Sequence, residues 1–415
     1  MTSDNARVRP VWLSRTTPPH VTTLVLVASV SALNMNIFLP SLPGMTSYFN
    51  TDYAVMQLAI SAYLAVTAVL QLVIGPLSDR FGRRRVLLAS LGIFLFATAG
   101  TLLAPNIAVF MVFRMMQATV AAGMVLSRAI VRDMVPPNEA ASKIGYITMG
   151  MSLVPMLGPI LGGFLEETYG WHVSFGLVLL FGVVVWGLIW ADLGETNALK
   201  SLNFGVQFRA YPELVRSRRF WGYALSAGFA SGAFFAFLGG APFVATVVLG
   251  LNPASLGMYF AFISAGYMLG NFLSGRFSAR VGLNNMMLAG SAVSTFGMLV
   301  TLALFLAGLQ HPISFFGTMA LVGVGNGMTL PNANAGIVSV RPHLAGSASG
   351  LGGAVMIGGG SALSAIAGTL LTPESGAYPL IYMMLGSSAL AVVTALYVIH
   401  VARKAGELGA EGFAE

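Results

Sequence analysis

Charge is what this chain of 415 residues has least of: Asp, Glu, Lys and Arg make up 8% of it, where a soluble domain carries roughly 25%. A soluble surface of this length needs charge to cover it, so the deficit excludes an ordinary water-soluble globule. Cysteine is absent altogether, which removes disulfides and thiolate metal sites. No paired acids, histidine-rich cluster or nucleophile–base arrangement stands at a membrane face. That argues against a membrane enzyme, and neither a metal nor a cofactor is expected.

What the chain has instead is apolar sequence, 56% of the residues, gathered into uncharged runs of about the 20 residues a helix needs to cross a bilayer. In hydrocarbon such runs must be helices, because no water is present to satisfy the backbone. Twelve are read, near 21–43, 54–76, 86–104, 106–130, 143–165, 171–191, 220–248, 254–275, 283–308, 312–334, 344–371 and 377–401. The first follows Arg7, Arg9 and Arg15 as a signal peptide would, but it is too long and lacks a small-residue cleavage site, so it is expected to stay as a span. The longest connector, 192–219, carries Lys200, Arg209, Arg216, Arg218 and Arg219. The expected organisation is a tail (1–20), a six-helix half (21–191), that connector, a second six-helix half (220–401) and a tail (402–415).

The basic residues fix the expected orientation. With the N-terminus inside, 19 of the 21 Lys and Arg fall in inner segments. The other two, Arg114 and Arg128, lie in the fourth span, and no outer loop carries either residue type. Both termini are therefore expected in the cytoplasm of a multi-pass plasma-membrane protein, in a bacterium the inner membrane. Topology accounts for the pI of 9.8, and no nucleic-acid partner is needed.

An internal repeat supports the division. Gly75, Ser78, Arg80 and Gly82 after span two recur as Gly275, Ser278, Arg280 and Gly282 after span eight. Phe38-Leu39 with Pro43 in span one is similarly echoed by Phe237-Leu238 with Pro242 in span seven. Two parallel halves with a substrate path between them are how one large class of transporters is built. Gly323-Val-Gly-Asn-Gly327 has the look of a nucleotide loop, but it lies inside an apolar run with no strand before it, so that reading is rejected.

The residues now resemble a known family. Gly75-Pro-Leu-Ser-Asp79-Arg80-Phe-Gly82-Arg83-Arg84 matches the cytoplasmic-loop signature of the major facilitator superfamily. Gly150, Pro155, Gly158-Pro159 and Gly162-Gly163 in span five match the signature of its drug antiporters. Phe38-Leu39-Pro40-Ser41-Leu42-Pro43, Arg128-Ala-Ile-Val-Arg132-Asp133 and Pro331-Asn332-Ala333 resemble the bicyclomycin/chloramphenicol-resistance (Bcr/CflA) branch. The resemblance implies an all-α membrane protein with the twelve-helix major facilitator fold. It also implies secondary active export of small amphipathic molecules, as in multidrug and antibiotic efflux by antiporters.

Physical readings stand beside it. Gly75 and Gly82 suit a tight turn. Asp79 can meet Arg83, or the positive end of the eleventh helix near Leu344, latching the inner side shut. In span five, Gly150, Gly158 and Gly162 share one face and let a neighbour approach, while Pro155 and Pro159 bend the helix. Arg114, roughly 12 Å into its helix, carries a charge too deep to snorkel, and such a charge is functional by default. Gln117 lies one turn away. Arg128 is near enough to the inner end to snorkel.

The look-alike exporters place an acid two positions before the Phe-Leu-Pro turn, where this chain has Asn36, with Asn34 nearby. None of the 14 acids lies at mid-membrane, which bears against simple proton coupling. Asn34, Asn36, Arg114 and Gln117 are the expected polar anchors of an otherwise apolar cavity, favouring neutral or anionic substrates. The expected partners are a small-molecule substrate, the bilayer and, if the family pattern holds, a coupling proton, acting on a monomer. The alternative is a facilitator or exchanger of a specific organic anion without proton coupling.

Overall fold

A computed structural model describes residues 11–135, 143, 147, 154–197, 211–341 and 344–404. Its helices are numbered by span. The first half holds α1 (Val21–Tyr48), α2 (Tyr53–Phe81), α3 (Arg83–Leu102), α4 (Ile107–Met134), α5 (Val154–Tyr169) and α6 (Trp171–Asp192). The second holds α7 (Arg218–Val248), α8 (Pro253–Val281), α9 (Leu283–Leu306), α10 (Ile313–Ser339), α11 (Ala345–Leu370) and α12 (Tyr378–Lys404). Eleven are long and apolar enough to span a bilayer. The remaining one, α5, is described over 16 residues, and Gly150 lies outside the described residues. Phe96, Phe164, Phe272 and Phe296 stand more than half exposed on the outer surface, a belt that suits lipid and not water.

Two helices run past their apolar segments. Both α2 and α8 have 29 residues, roughly 44 Å of helix against about 30 Å of hydrocarbon. The glycine–arginine motif continues the helix past its apolar segment instead of breaking it. Gly75 is therefore helical, with open space where a Cβ would stand, and makes no turn. The turn falls at Gly82 alone, at φ +96°, and its repeat Gly282 does the same at φ +85°. Only glycine tolerates that backbone without strain.

The kinks follow proline. Helix α1 stops at Asn36, passes through a 3₁₀ turn at Leu39–Ser41 and resumes at Leu42, because Pro40 and Pro43 each lack an N–H. Its counterpart α7 loosens into a π turn at Val244–Val248, after Pro242.

The apolar core has an uneven plan. At the end of the bundle away from the basic loops, one cluster joins both halves, from Phe38, Met56 and Ile60 to Phe237, Leu256 and Ile381. Toward the basic end there are two separate clusters. One runs from Leu24 to Leu193 within the first half, the other from Leu214 to Val398 within the second. The halves are fused at the distal end and part toward the basic end.

Candidate functional site

Inside the first half, Arg114 is fully buried. Its helix starts on Asn106, whose side chain caps Val109 N–H, and tightens into a 3₁₀ turn at Gln117–Val120. The guanidinium donates four hydrogen bonds: to Ala59 O at 3.0 Å, Asn34 Oδ1 at 3.1 Å, Asn34 O at 3.3 Å and Gln117 Oε1 at 2.6 Å. Its Cζ lies 4.2 Å from the Phe38 ring and 4.4 Å from that of Tyr63. The Gln117 amide is held in turn by Thr98 Oγ1 at 3.0 Å, and Asn34 Nδ2 donates to Tyr63 OH at 3.3 Å. Among the described residues no carboxylate takes part. Charge-assisted bonds of about 1.5–3 kcal/mol each, with aromatic faces adding up to about 2 kcal/mol, offset the desolvation of the cation.

The structure thus brings Asn34, Arg114 and Gln117 together, drawing on α1, α2, α3 and α4. Asn36 is not with them. Its Nδ2 returns to Ala32 O at 2.7 Å, and it faces α5, where Gly158 lies against it. Asp133 is not with them either and is occupied elsewhere.

That other place is the basic end. Arg83 pairs with Asp79 one turn back and donates through Nε to Asp133 at 3.0 Å. Of the two partners open to Asp79, the local one is taken. The Arg83 backbone N–H donates to Glu195 Oε1 at 2.8 Å, and Asn197 Nδ2 to Asp79 O at 2.9 Å. Arg80 lies over the Phe81 ring. This network knits α2, the start of α3, α4 and the segment after α6 within one half.

In α5 the small residues serve two faces. Gly158 and Gly162 lie on the broken stretch of α1, and a Cβ on Gly162 would collide with Ile37 O. Gly163 presses against the Pro253 carbonyl of α8, and Gly257 of α8 presses reciprocally on the Pro159 carbonyl. Pro155 O accepts from Ser264 of α8 at 3.2 Å. The antiporter-like segment is therefore one of the first half's packing surfaces against the second, beside that of α2.

Several residues in the distal seal went unread in the sequence. Tyr53 OH donates to Gly239 O, Gln57 Nε2 to Ser364 O and Ser361 Oγ to Ser61 O, each at 2.7 Å across the halves. Glu167 accepts from Asn252 Nδ2 at 3.2 Å and Ala254 N at 3.3 Å at the start of α8. Asp192, fully buried, accepts from Leu13 N at 2.8 Å, His20 N at 3.0 Å and Thr23 Oγ1 at 2.6 Å. Arg128 is exposed on α4. Asn332 donates to Ser274 of α8 at 2.9 Å.

Residues 24–365 match the family model described as Major Facilitator Superfamily. An uncharacterized MFS-type transporter, YdgK, of Bacillus subtilis is 31% identical, over 88% of this chain and 93% of its own. A chloramphenicol resistance protein of Pseudomonas aeruginosa is 28% identical, over 85% and 84%. The crystal structure of a D-xylose-proton symporter superposes with a TM-score of 0.73 at 14% identity, covering 91% of this chain and 96% of that one, a likeness of fold.

Proposed function

We propose that this chain, which belongs to the major facilitator superfamily, exports small amphipathic molecules, antibiotics among them, from the bacterial cytoplasm by alternating access. The observation that carries the reading is the uneven core, one cluster shared at the distal end and two separate ones at the basic end. With the basic end in the cytoplasm, this is a state closed to the outside and parted toward the inside, poised to receive cargo from within. The likeness to a chloramphenicol resistance protein supplies the class of cargo. The path lies between two halves of one chain, so a monomer suffices.

Closing inside and opening outside requires breaking the Tyr53, Gln57 and Ser361 hydrogen bonds and the Glu167 clamp. Neutral bonds of net about 0.5–1.5 kcal/mol each make that seal reversible, within the few kcal/mol that separate functional states. Arg114 acts from under Phe38, as the polar keystone that keeps the α1 break in register with α2 and α4. Its donors are already matched by neutral acceptors, so the cargo need not be an anion, and export of amphipaths is favoured over obligate anion exchange.

For a coupling proton, the described acids are nearly all engaged. Asp79 and Asp133 hold Arg83, Glu167 holds α8, and Asp192 anchors the N-terminal segment. Glu166 differs: its Oε2 is buried without a partner, beside Ser41 and Gly44 of the α1 break. We assign proton exchange to Glu166.

The test is uptake into everted membrane vesicles of cationic, neutral and anionic amphipaths, chloramphenicol included, with and without an imposed pH gradient. The expected result is accumulation that the gradient accelerates in the wild type and leaves unchanged in Glu166→Gln. Counterflow of an organic anion with no accumulation of any amphipath would overturn the export reading. Equal gradient dependence in Glu166→Gln would overturn only the assignment of Glu166.

A further inference from the structure

The first turn of α3 carries three consecutive arginines, and they are not equivalent. Arg83 is held by Asp79 and Asp133. Arg84 donates to the carbonyls of Leu193 and Trp190, each at 2.8 Å. Arg85 is exposed and, among the described residues, has neither a hydrogen bond nor an ion pair. It lines a groove of 420 Å³ between α2 and α3, whose floor and walls are Leu77, Phe81, Val86, Ala89 and Ile93.

The groove lies beside the turn at Gly82, the one residue that joins the two helices. Val86, Ala89 and Ile93 follow one another at helical spacing on one face of α3. Phe81 and Ile93 are 48% and 44% exposed, so this face meets lipid. From Arg85 to Ile93 is roughly 12 Å, close to the depth of one leaflet's hydrocarbon, about 15 Å. The cation stands where the acyl region gives way to headgroups.

We infer that this groove is a binding site for one anionic phospholipid of the cytoplasmic leaflet, its acyl chain along Leu77, Val86, Ala89 and Ile93 and its headgroup phosphate on Arg85. A planar guanidinium with no partner among the described residues matches a phosphate in pairs of hydrogen bonds. Basic residues at the cytoplasmic end of a span attract anionic lipid, and this one has an apolar seat beneath it. A zwitterionic lipid fills the seat equally but gains less from the charge. Occupancy ties the lipid to the α2–α3 turn, which carries the Asp79–Arg83 pair.

The experiment is native mass spectrometry of the full chain in detergent, titrated separately with phosphatidylglycerol and phosphatidylethanolamine. The wild type is expected to retain phosphatidylglycerol about fivefold better, the discrimination one basic residue gives near an anionic headgroup. Arg85→Gln should abolish that preference while binding phosphatidylethanolamine as before. Ala89→Trp, which fills the groove from a lipid-facing position, should lower retention of both lipids. Arg403→Gln, an exposed arginine at the end of α12, should change neither. Undiminished preference in Arg85→Gln, or an equal loss in Arg403→Gln, would overturn the site, as would full retention of both lipids in Ala89→Trp.

Discussion

Gln57 of α2 fills the space that a side chain at Gly368 of α11 would need, so a Cβ built on Gly368 collides with the Gln57 side-chain oxygen. Gly239 of α7 makes room for the amide nitrogen of the same side chain. One half supplies a polar knob and the other a slot lined by two glycines, and the hydrogen bond to Ser364 O at 2.7 Å fastens it. The distal seal is thus a fitted contact, and its fit can be spoiled by a single methyl group.

Gly368→Ala is expected to hold the distal end open. Overpacking a fitted contact costs typically about 1–3 kcal/mol, enough to shift the balance of states by about tenfold. The absence of native cysteine gives a clean probe. Ser364→Cys, buried in the seal, should react slowly with an impermeant maleimide in an otherwise wild-type chain. It should react about tenfold faster when Gly368→Ala is added. Equal labelling in the two would mean that Gln57 does not govern access.

The two glycines of the basic-end motif should behave oppositely. Gly75 is helical and faces open space, so Gly75→Ala is expected to stabilise the chain by about 0.5–1 kcal/mol and leave transport intact. Gly82 sits at φ +96°, and a Cβ there would strike the Glu195 carboxylate. Gly82→Ala should therefore cost about 1–3 kcal/mol for the backbone alone and lower the melting temperature in detergent. Similar melting curves for the two variants would refute this division of roles.

The length of each apolar run was enough to count helices, but not to end α2 and α8, because a helix that leaves the bilayer continues as long as its residues allow. The prolines at 40 and 43 stand in the Phe-Leu-Pro turn, which is a break in α1. What they could not announce was its effect on Asn34 and Asn36. Two residues apart on a helix means about 200° of rotation, so one turns to Arg114 and the other to α5. Asp192 read as the first residue of the connector, since its partners Leu13, His20 and Thr23 lie some 170 positions away in the chain. The repeat of Phe38 as Phe237 was visible, yet the rings do different work. Phe38 covers a buried cation, while Phe237 packs among Phe260, Phe315 and Phe316.

Arg83 is shared by two acids, so their neutralisation should not be additive. Asp79→Asn leaves Arg83 on Asp133, and Asp133→Asn leaves it on Asp79; each should slow export while the protein still inserts. The double variant frees the cation, and its loss of initial rate should exceed the sum of the single effects in free-energy terms, as expected for groups sharing a partner. Strictly additive rates, or wild-type turnover in Asp79→Asn, would leave the motif with a topological role alone.

The Arg114 cluster makes the sharpest demand, because two explanations of a buried cation predict different rescues. If the cargo supplied the balancing charge, the empty protein would be strained at Arg114, and anionic ligands would raise the melting temperature far more than neutral ones. The geometry instead gives the guanidinium four acceptors and two aromatic faces without cargo. Arg114→Ala would leave Asn34 Oδ1 and Gln117 Oε1 unpaired in the interior, at about 1–3 kcal/mol for each group. A fall of several degrees in melting temperature and loss of export are expected, with no recovery on adding ligand of any charge. Arg114→Lys should recover stability only in part, since an ammonium cannot reach donors fixed in a planar fork. Asn34→Asp keeps the accepting oxygen and places a carboxylate 3.1 Å from Nη1, sacrificing only the long contact to Tyr63. It should melt no lower than the wild type, whereas a cation waiting for anionic cargo would be silenced by it, and export of anions would cease while that of neutral amphipaths continued. Melting curves of the three variants, each with neutral and anionic compounds, decide the matter. An unchanged melting temperature in Arg114→Ala would mean that Arg114 is no keystone of the first half.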